Sequence, residues 1–297
     1  MFMIYANRNG EKIEKETAMD KISSLVYGNL VGRMLVKPFT TPFVSRFVGA
    51  CLDSRLSVLL AIPYKMIFSV DRNLYKPKVY SSYNEFFTRE IKPEYRPVDG
   101  ETGSLVSPAD GKLSLYHISK DLQITIKNSV YSISSLLKSK ELAQEYENGY
   151  AVVIRLTGED YHHYCYVADG VKGKNHYLKG MFHMLHPVVR EQIPVYKENA
   201  REFCRIRTKY FGELIQMEVG AMMVGRICNV HQGMGQVSKG EEKGHFAYGG
   251  STVVVLVKEN MVDFDEDLLA NSKEEIETLV KMGERIGFRK NQEERQE

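Results

Sequence analysis

The chain is poor in cysteine, lacks a long apolar run and carries almost no net charge. Its four cysteines, Cys51, Cys165, Cys204 and Cys228, include no CxxC pair and fall far below the density of a disulfide scaffold. That pattern fits a reducing compartment and gives no expectation of zinc or any other metal. No stretch approaches the ~20 apolar residues of a spanning helix. A formal charge of +2 over 297 residues makes no general case for nucleic acid as a partner. The first twenty residues hold Glu11, Glu14 and Glu16 among lysines and no apolar core, so no secretory signal is expected and the start reads as cytoplasmic. No internal repeat stands out, and low complexity is confined to the charged tail from Arg289. What remains, 43% hydrophobic and 26% charged residues, is the composition of a globular protein with a substantial core.

The charge is locally uneven. Between Lys21 and Tyr80 nine basic residues (Lys21, Arg33, Lys37, Arg46, Arg55, Lys65, Arg72, Lys76, Lys78) face two acidic ones, Asp53 and Asp71. The same region is apolar at helical spacing, with one stripe through Ile22, Leu25, Val26, Leu30, Val31, Met34 and Leu35. A second runs through Phe43, Val44, Phe47, Val48, Cys51 and Leu52. Such helices either pack on the protein's own core or lie on an anionic membrane with their lysines and arginines at its rim.

The Pro-bearing stretch from Lys92 to Gly100 marks a boundary, and the texture beyond it is β. Gly111 to Ile118, Val152 to Leu156, Phe203 to Arg207, Leu214 to Val219 and Thr252 to Val257 read as strands of a sandwich or barrel. Gln236 to Phe246 has the short-turn grammar of barrel-sandwich domains. A helix is expected at the end, where Ile276, Leu279, Val280, Gly283 and Ile286 share a face between Glu274 and Gly287. The expected class is therefore α+β. An amphipathic helical region over 1–80 precedes a β-rich, barrel-sandwich-like core over 81–297.

Several polar sites admit two readings. Gly249-Gly-Ser251 is either a plain turn before a strand or a Gly-Ser bond whose bare carbonyl lies open to the serine hydroxyl. Asp110 in Ser107-Pro-Ala-Asp-Gly111 is either a turn former or a functional acid. Asp160-Tyr-His-His-Tyr-Cys-Tyr166 is either aromatic packing or a site. If extended, His162 and His163 point to opposite sides. His183 and His186 in Phe182-His-Met-Leu-His-Pro187 read first as packing and capping.

Taken together, Asn84-Glu-Phe-Phe-Thr-Arg89, Ser107-Pro-Ala-Asp-Gly111, Asp160-Tyr-His162, Val219-Gly-Ala-Met-Met-Val-Gly-Arg226, Lys239-Gly-Glu241 with Gly244-His-Phe246, and Gly249-Gly-Ser-Thr252 occur in a characteristic order. The chain thereby resembles the phosphatidylserine decarboxylases over roughly residues 80 to 260. The resemblance implies that Ser251 attacks the Gly250 carbonyl. The chain would then split into a β chain ending at 250 and an α chain over 251–297, leaving a pyruvoyl group at residue 251. That ketone, forming a Schiff base with the amine of phosphatidylserine, is the implied cofactor, with no external one required. Asp110 is implied to orient a histidine that deprotonates Ser251. In the better-known bacterial pattern that histidine lies three residues after the position of His162, where this chain has Cys165. The expected base is therefore His162, then His183, then His163, with Cys165 last because a buried thiol is a poor base.

The implied partners are phosphatidylserine, an anionic membrane surface and the protein's own two chains; a homodimer is compatible with the resemblance. The implied place is peripheral, on the cytoplasmic face of the membrane. Two other readings stay open. One is a non-catalytic carrier or lipid-binding module, for which Lys239 would have to be modified. The other is a pyruvoyl decarboxylase of a soluble amino acid.

Overall fold

A computed structural model of the chain describes residues 3–15, 49–68, 70–126, 129–182, 197–220, 226–247 and 251–290. The β-branched run after the glycines forms the strand Ser251–Val257, buried along its whole length. It is paired antiparallel with Glu213–Val219 on one side and Tyr150–Leu156 on the other. Successive side chains leave opposite faces of a strand. Val253, Val255 and Val257 thus join one apolar cluster, with Leu113, Tyr164, Phe246 and Leu268. Val254 and Leu256 join the other, with Ile126, Leu136, Tyr146 and Met217. Because both faces are covered, the sequence has no polar side to alternate with and reads as a continuous apolar run. At ~1.5–3 kcal/mol for each buried Val or Leu, this short strand contributes on the order of 10 kcal/mol of gross burial energy.

The strand is central to an eleven-stranded sheet. Gly111–His117 flanks Tyr150–Leu156, Glu277–Val280 follows, and the hairpin Met3–Ala6 with Lys12–Lys15 ends that side. On the other side Arg201–Thr208 pairs with Glu213–Val219. A smaller three-stranded sheet orders Arg226–Asn229, Glu242–Ala247 and His163–Cys165. The architecture is α+β and strand-rich, and among the described residues no sheet closes into a barrel. No helix among them is long and apolar enough to cross a membrane.

Two expectations about helices change. Residues 274–287 are not helical: the closing helix is Glu266–Lys273, and Glu277–Val280 and Arg285–Arg289 are strands. Glu275 takes a left-handed backbone (φ 59°) that ends the helix, and Gly283 (φ 85°) makes the turn between the strands. Thr278 and Val280 are the buried pair, at the spacing of a strand. Ile276 and Val280, four apart, imitate a helix face in such a short segment. At the other end, residues 3–15 are not helical either. They form the hairpin that extends the core sheet, held by Arg8 to Asp265 (2.6 Å) and Asp267 (2.7 Å). The apolar stripes from Ile22 to Leu35 and from Phe43 to Val48 lie outside the described residues.

Helix is present over Ala61–Phe68, after a 3-10 turn at Arg55–Leu60, and over Tyr83–Phe87. Ser82 caps the latter by accepting from the Glu85 amide at 3.1 Å, as expected of a serine at a helix start. Ala61, Tyr64, Phe86 and Phe87 form the shared core of this layer.

Gly111 opens a central strand at φ 154°, and a Cβ there would meet the Arg155 carbonyl oxygen at 2.7 Å. Gly111→Ala is expected to destabilise the protein by about 1–3 kcal/mol, the usual cost of a residue forced into such a conformation. Urea unfolding followed by circular dichroism checks this; an unchanged midpoint would contradict it.

Candidate active site

Four strands of the central sheet end or begin together. Register sets Val219 beside Thr252, Thr252 beside Arg155 and Arg155 beside Lys112, with Ser251 opposite Leu156. Ser251 is fully buried at this end. Asp110 immediately precedes the Gly111–His117 strand, and the turn from Thr157 to Asp160 immediately follows Tyr150–Leu156.

Ion pairs hold these ends. Arg96 grips Asp110 with two nitrogens, Nε at 2.7 Å from Oδ1, and the Met282 amide donates to the same oxygen at 2.9 Å. Lys112 Nζ reaches Asp160 at 2.7 Å and Thr157 Oγ1 at 2.8 Å, while the Thr157 amide donates to Asp160 at 2.6 Å. Lys112 is nearly fully buried, so loss of its partner would leave an uncompensated charge, typically costing ~3–5 kcal/mol. A cleft of about 680 Å³ opens beside these groups, bordered by Arg96, Asp110, Lys112 and Asp160.

The Ser107–Gly111 turn is tied to the histidine-bearing strand. The Cys165 amide donates to the Pro108 carbonyl at 2.8 Å, and Ala109 bridges to Tyr164. Cys165 thus faces this turn, its thiol 3.8 Å from the Ser107 carbonyl. Burial, with the Asp110 charge adding to it, pushes the Cys165 thiol up to about 12, so at neutral pH it holds its proton and cannot accept another's. His162 is buried with its ring 4.2 Å from that of Phe87, and its carbonyl accepts from the Phe246 amide at 2.9 Å. His163 has different partners, Glu242 at 2.8 Å and the Thr88 carbonyl at 3.0 Å. Gly249, Gly250, His183 and His186 lie outside the described residues. Lys239 donates to Ser104 Oγ at 2.7 Å and to the Glu101 carbonyl at 2.8 Å, so it is no free tip for a carrier.

Sequence reading missed Arg96, because it falls in the Pro-bearing stretch taken only as a boundary. It also missed the buried pair of Lys243 with Glu218, whose carboxyl burial pushes upward. A lone Lys and a lone Glu, 25 residues apart on separate strands, carry no local signal. Arg89, the last residue of the Asn84–Arg89 motif, is buried, with its guanidinium over the Tyr75 ring at 4.4 Å and the Phe86 ring at 5.0 Å.

Ser251 and Asp110 thus lie at the same end of the central sheet, and His162 follows the turn that leaves it. The model of the phosphatidylserine decarboxylase family matches residues 83–288. The phosphatidylserine decarboxylase proenzyme 2 of Clostridium acetobutylicum is 41% identical over 263 residues, 88% of this chain and 90% of that one. A phosphatidylserine decarboxylase proenzyme of Clostridium botulinum (strain 657) is 35% identical over 98% of this chain and 100% of its own length. The Clostridium tetani proenzyme is 36% identical over 82% and 84%. The chain belongs to the phosphatidylserine decarboxylase family. It is a carboxy-lyase.

The thiols report directly on this packing. At pH 8 a thiol reagent should label the exposed Cys51 and spare Cys165 until the chain unfolds. The folded value of Cys165 lies above its ordinary 9.0, so its contribution to stability is complete below pH 9 and is lost as pH rises toward 12. Peptide mapping after labelling checks the order, and equal rates for both thiols would contradict it.

Proposed function

We propose that the protein decarboxylates phosphatidylserine to phosphatidylethanolamine and CO2, with a pyruvoyl group made from its own Ser251. The observation that carries this reading is Ser251 as the buried first residue of a strand clamped on both sides, with two glycines before it in sequence. The packed sheets around it we read as a barrel-sandwich-like core. The word proenzyme in the relatives' names supports processing of the chain.

A strand fixed by two neighbours keeps the Ser251 hydroxyl in place against the bond that precedes it, and a glycine at 250 leaves that carbonyl open to approach. Oγ adds to the Gly250 carbonyl carbon and the C–N bond breaks, giving an ester with a free amine. β-Elimination then releases the Gly250 carboxylate and leaves dehydroalanine. Water hydrolyses this to a ketone with loss of ammonia. When in place, the pyruvoyl group supplies an electron sink for the carbanion left by CO2.

The remaining work falls to side chains. His162 takes the Ser251 proton, with His183 the next choice and His163 the third. Asp110, gripped by Arg96 and the Met282 amide, orients the base. A histidine near neutrality also suits protonation of the carbanion carbon.

For the lipid we propose docking at an anionic membrane through the Arg55–Phe68 segment. It exposes Leu56 (82%), Leu59 (64%), Ile62 (59%) and Met66 (78%), with Arg55, Lys65 and Arg72 nearby in sequence. A basic, apolar face of this kind favours a lipid substrate over a soluble amino acid.

The test of self-cleavage is a denaturing gel beside CO2 release. Ser251→Ala should remain one chain and be inactive, whereas the native protein should release a downstream piece of 297 − 250 = 47 residues, about 5.4 kDa by proportion of 34.0 kDa. Decarboxylation by uncut Ser251→Ala would overturn the reading. Asp110→Ala and His162→Ala should each accumulate the uncut chain, and the double variant should be little worse than either, as members of one catalytic unit are not additive. Normal cutting in His162→Ala with lost decarboxylation would instead make His162 the proton donor and His183 the base.

Because residues 3–15 belong to the core sheet, membrane docking is best tested by substitution rather than truncation. Leu56→Asp with Met66→Asp should weaken binding to anionic vesicles while leaving self-cleavage intact. Raised salt should weaken native binding, since surface charges are screened within ~10 Å at 0.1 M. Binding that ignores both changes would count against this surface.

A further inference from the structure

We propose that His163, Glu242 and His245 form a binding site for a divalent transition-metal ion, with Zn2+ the ion that fits best. One nitrogen of each histidine and a carboxylate oxygen of Glu242 lie within 4.8 Å of one another. The cluster includes neither Ser251 nor Asp110, and the decarboxylation reading draws on it only through His163, the third choice of base. Cysteine spacing carries no zinc signal in this chain; here the ligands are imidazoles and a carboxylate.

The strands build the site. His245 and His163 are direct partners across the Glu242–Ala247 and His163–Cys165 strands, so their side chains leave the same face. On a regular strand Glu242 and His245 would point to opposite faces. The bulge between Glu242 and Gly244 shifts that phase and brings the carboxylate round to both imidazoles. The ring of His163 is fixed by stacking on Tyr161, 4.7 Å away and 8° from parallel.

Hydrogen bonding around His163 points to a cation. Its Nε2 lies 3.0 Å from the Thr88 carbonyl, which can only accept, so Nε2 carries the proton. In a neutral ring Nδ1 then presents a lone pair, and 2.8 Å away stands the Glu242 carboxylate, another acceptor. Two acceptors facing each other need a positive charge between them. An ion there supplies it, and an N–H donating to a backbone carbonyl is the usual outer support of a metal-bound histidine. Ordinary zinc bond lengths of about 2.0–2.2 Å set tetrahedral ligand atoms roughly 3.4 Å apart, so seating an ion opens the 2.8 Å contact and draws in the separations that reach toward 4.8 Å. Three ligands leave a position for water, and the half-exposed Glu242 gives a route of entry. The ion would fasten the strand that carries His163 to the one leading toward Ser251.

The alternative source of charge is a proton on Nδ1, giving an imidazolium and no metal site. Untagged full-length protein, stripped with chelator, decides between them by titration with Co2+ and displacement by Zn2+. One equivalent of Co2+ should bind with the visible absorption of a four- or five-coordinate ion, and Zn2+ should abolish that band. Glu242→Gln and His245→Ala, each shown folded by circular dichroism, should bind more than ~100-fold more weakly, beyond the range seen for losing only an outer partner. If His245→Ala does not fold, the near-isosteric Glu242→Gln decides alone. Absence of the band in the native protein, or equal affinity in the variants, would overturn the site and leave the imidazolium. Metal uptake is read without any turnover, so its failure is distinguishable from failure of the decarboxylase reading.

Discussion

A strand buried on both faces cannot choose its own register from its apolar pattern, because a slip by one residue exchanges one apolar face for another. Ser251–Val257 is such a strand, and the placement of Ser251 follows from its main-chain pairing with Glu213–Val219 and Tyr150–Leu156, whose own alignment is fixed at the sheet end. Arg155, in the row with Thr252 and Lys112, is paired with Glu277 two strands away, its Nε at 2.9 Å. Lys112 is locked to Asp160 and Thr157. A slip of Tyr150–Leu156 relative to Glu277–Val280 would separate Arg155 from Glu277, and a slip of Gly111–His117 relative to the turn after Leu156 would strand the buried Lys112, so these neighbouring strands are held in one alignment. The apolar core supplies the bulk of the stability, and the ionic rim aligns the strands beside the one that begins at Ser251.

The central strands were legible because local preference and environment agree there. Val152–Leu156 and Thr252–Val257 are β-branched and enclosed, and no competing period is available to them. Asp110, His162 and Ser251 stood out as motifs, and each lies at the edge of a strand: Asp110 before Gly111–His117, His162 before His163–Cys165 and Ser251 at the start of its own. The segment after Glu274 was misread because a four-residue strand is too short to separate its period from a helical one. The hairpin at residues 3–15 was missed for another reason: Tyr5 pairs with Glu277, and nothing local announces a partner so far along the chain. Arg96 and the His163, Glu242, His245 group share that difficulty. Glu242 lies 79 residues from His163 in sequence and 2.8 Å from it in space, and only the bulge in its strand aligns it.

The N-terminal layer joins two surfaces of different character. Inward, Phe87 packs at a tilt against His162, Phe68 crowds Gly158, and Tyr64 donates to the Gly158 carbonyl, so aromatic packing reaches the loop between Leu156 and His162. Outward, Leu56, Leu59 and Met66 stay in solvent. The short helix Ala61–Phe68 therefore meets the loop after Leu156 on one face, through Tyr64 and Phe68, and the medium outside on the other, through Ile62 and Met66.

The hairpin at the start of the chain pairs in parallel with a strand almost at its end. During synthesis Tyr5 must wait until Glu277 has been made before it finds its neighbour, and Arg155 waits for the same residue. Closure of such a distant contact is the slow part of assembling a sheet. The rim of this sheet is consequently complete only once Glu277–Val280 has been made, and a polypeptide shorter than that lacks both the parallel pairing of Tyr5 and the ion pair of Arg155.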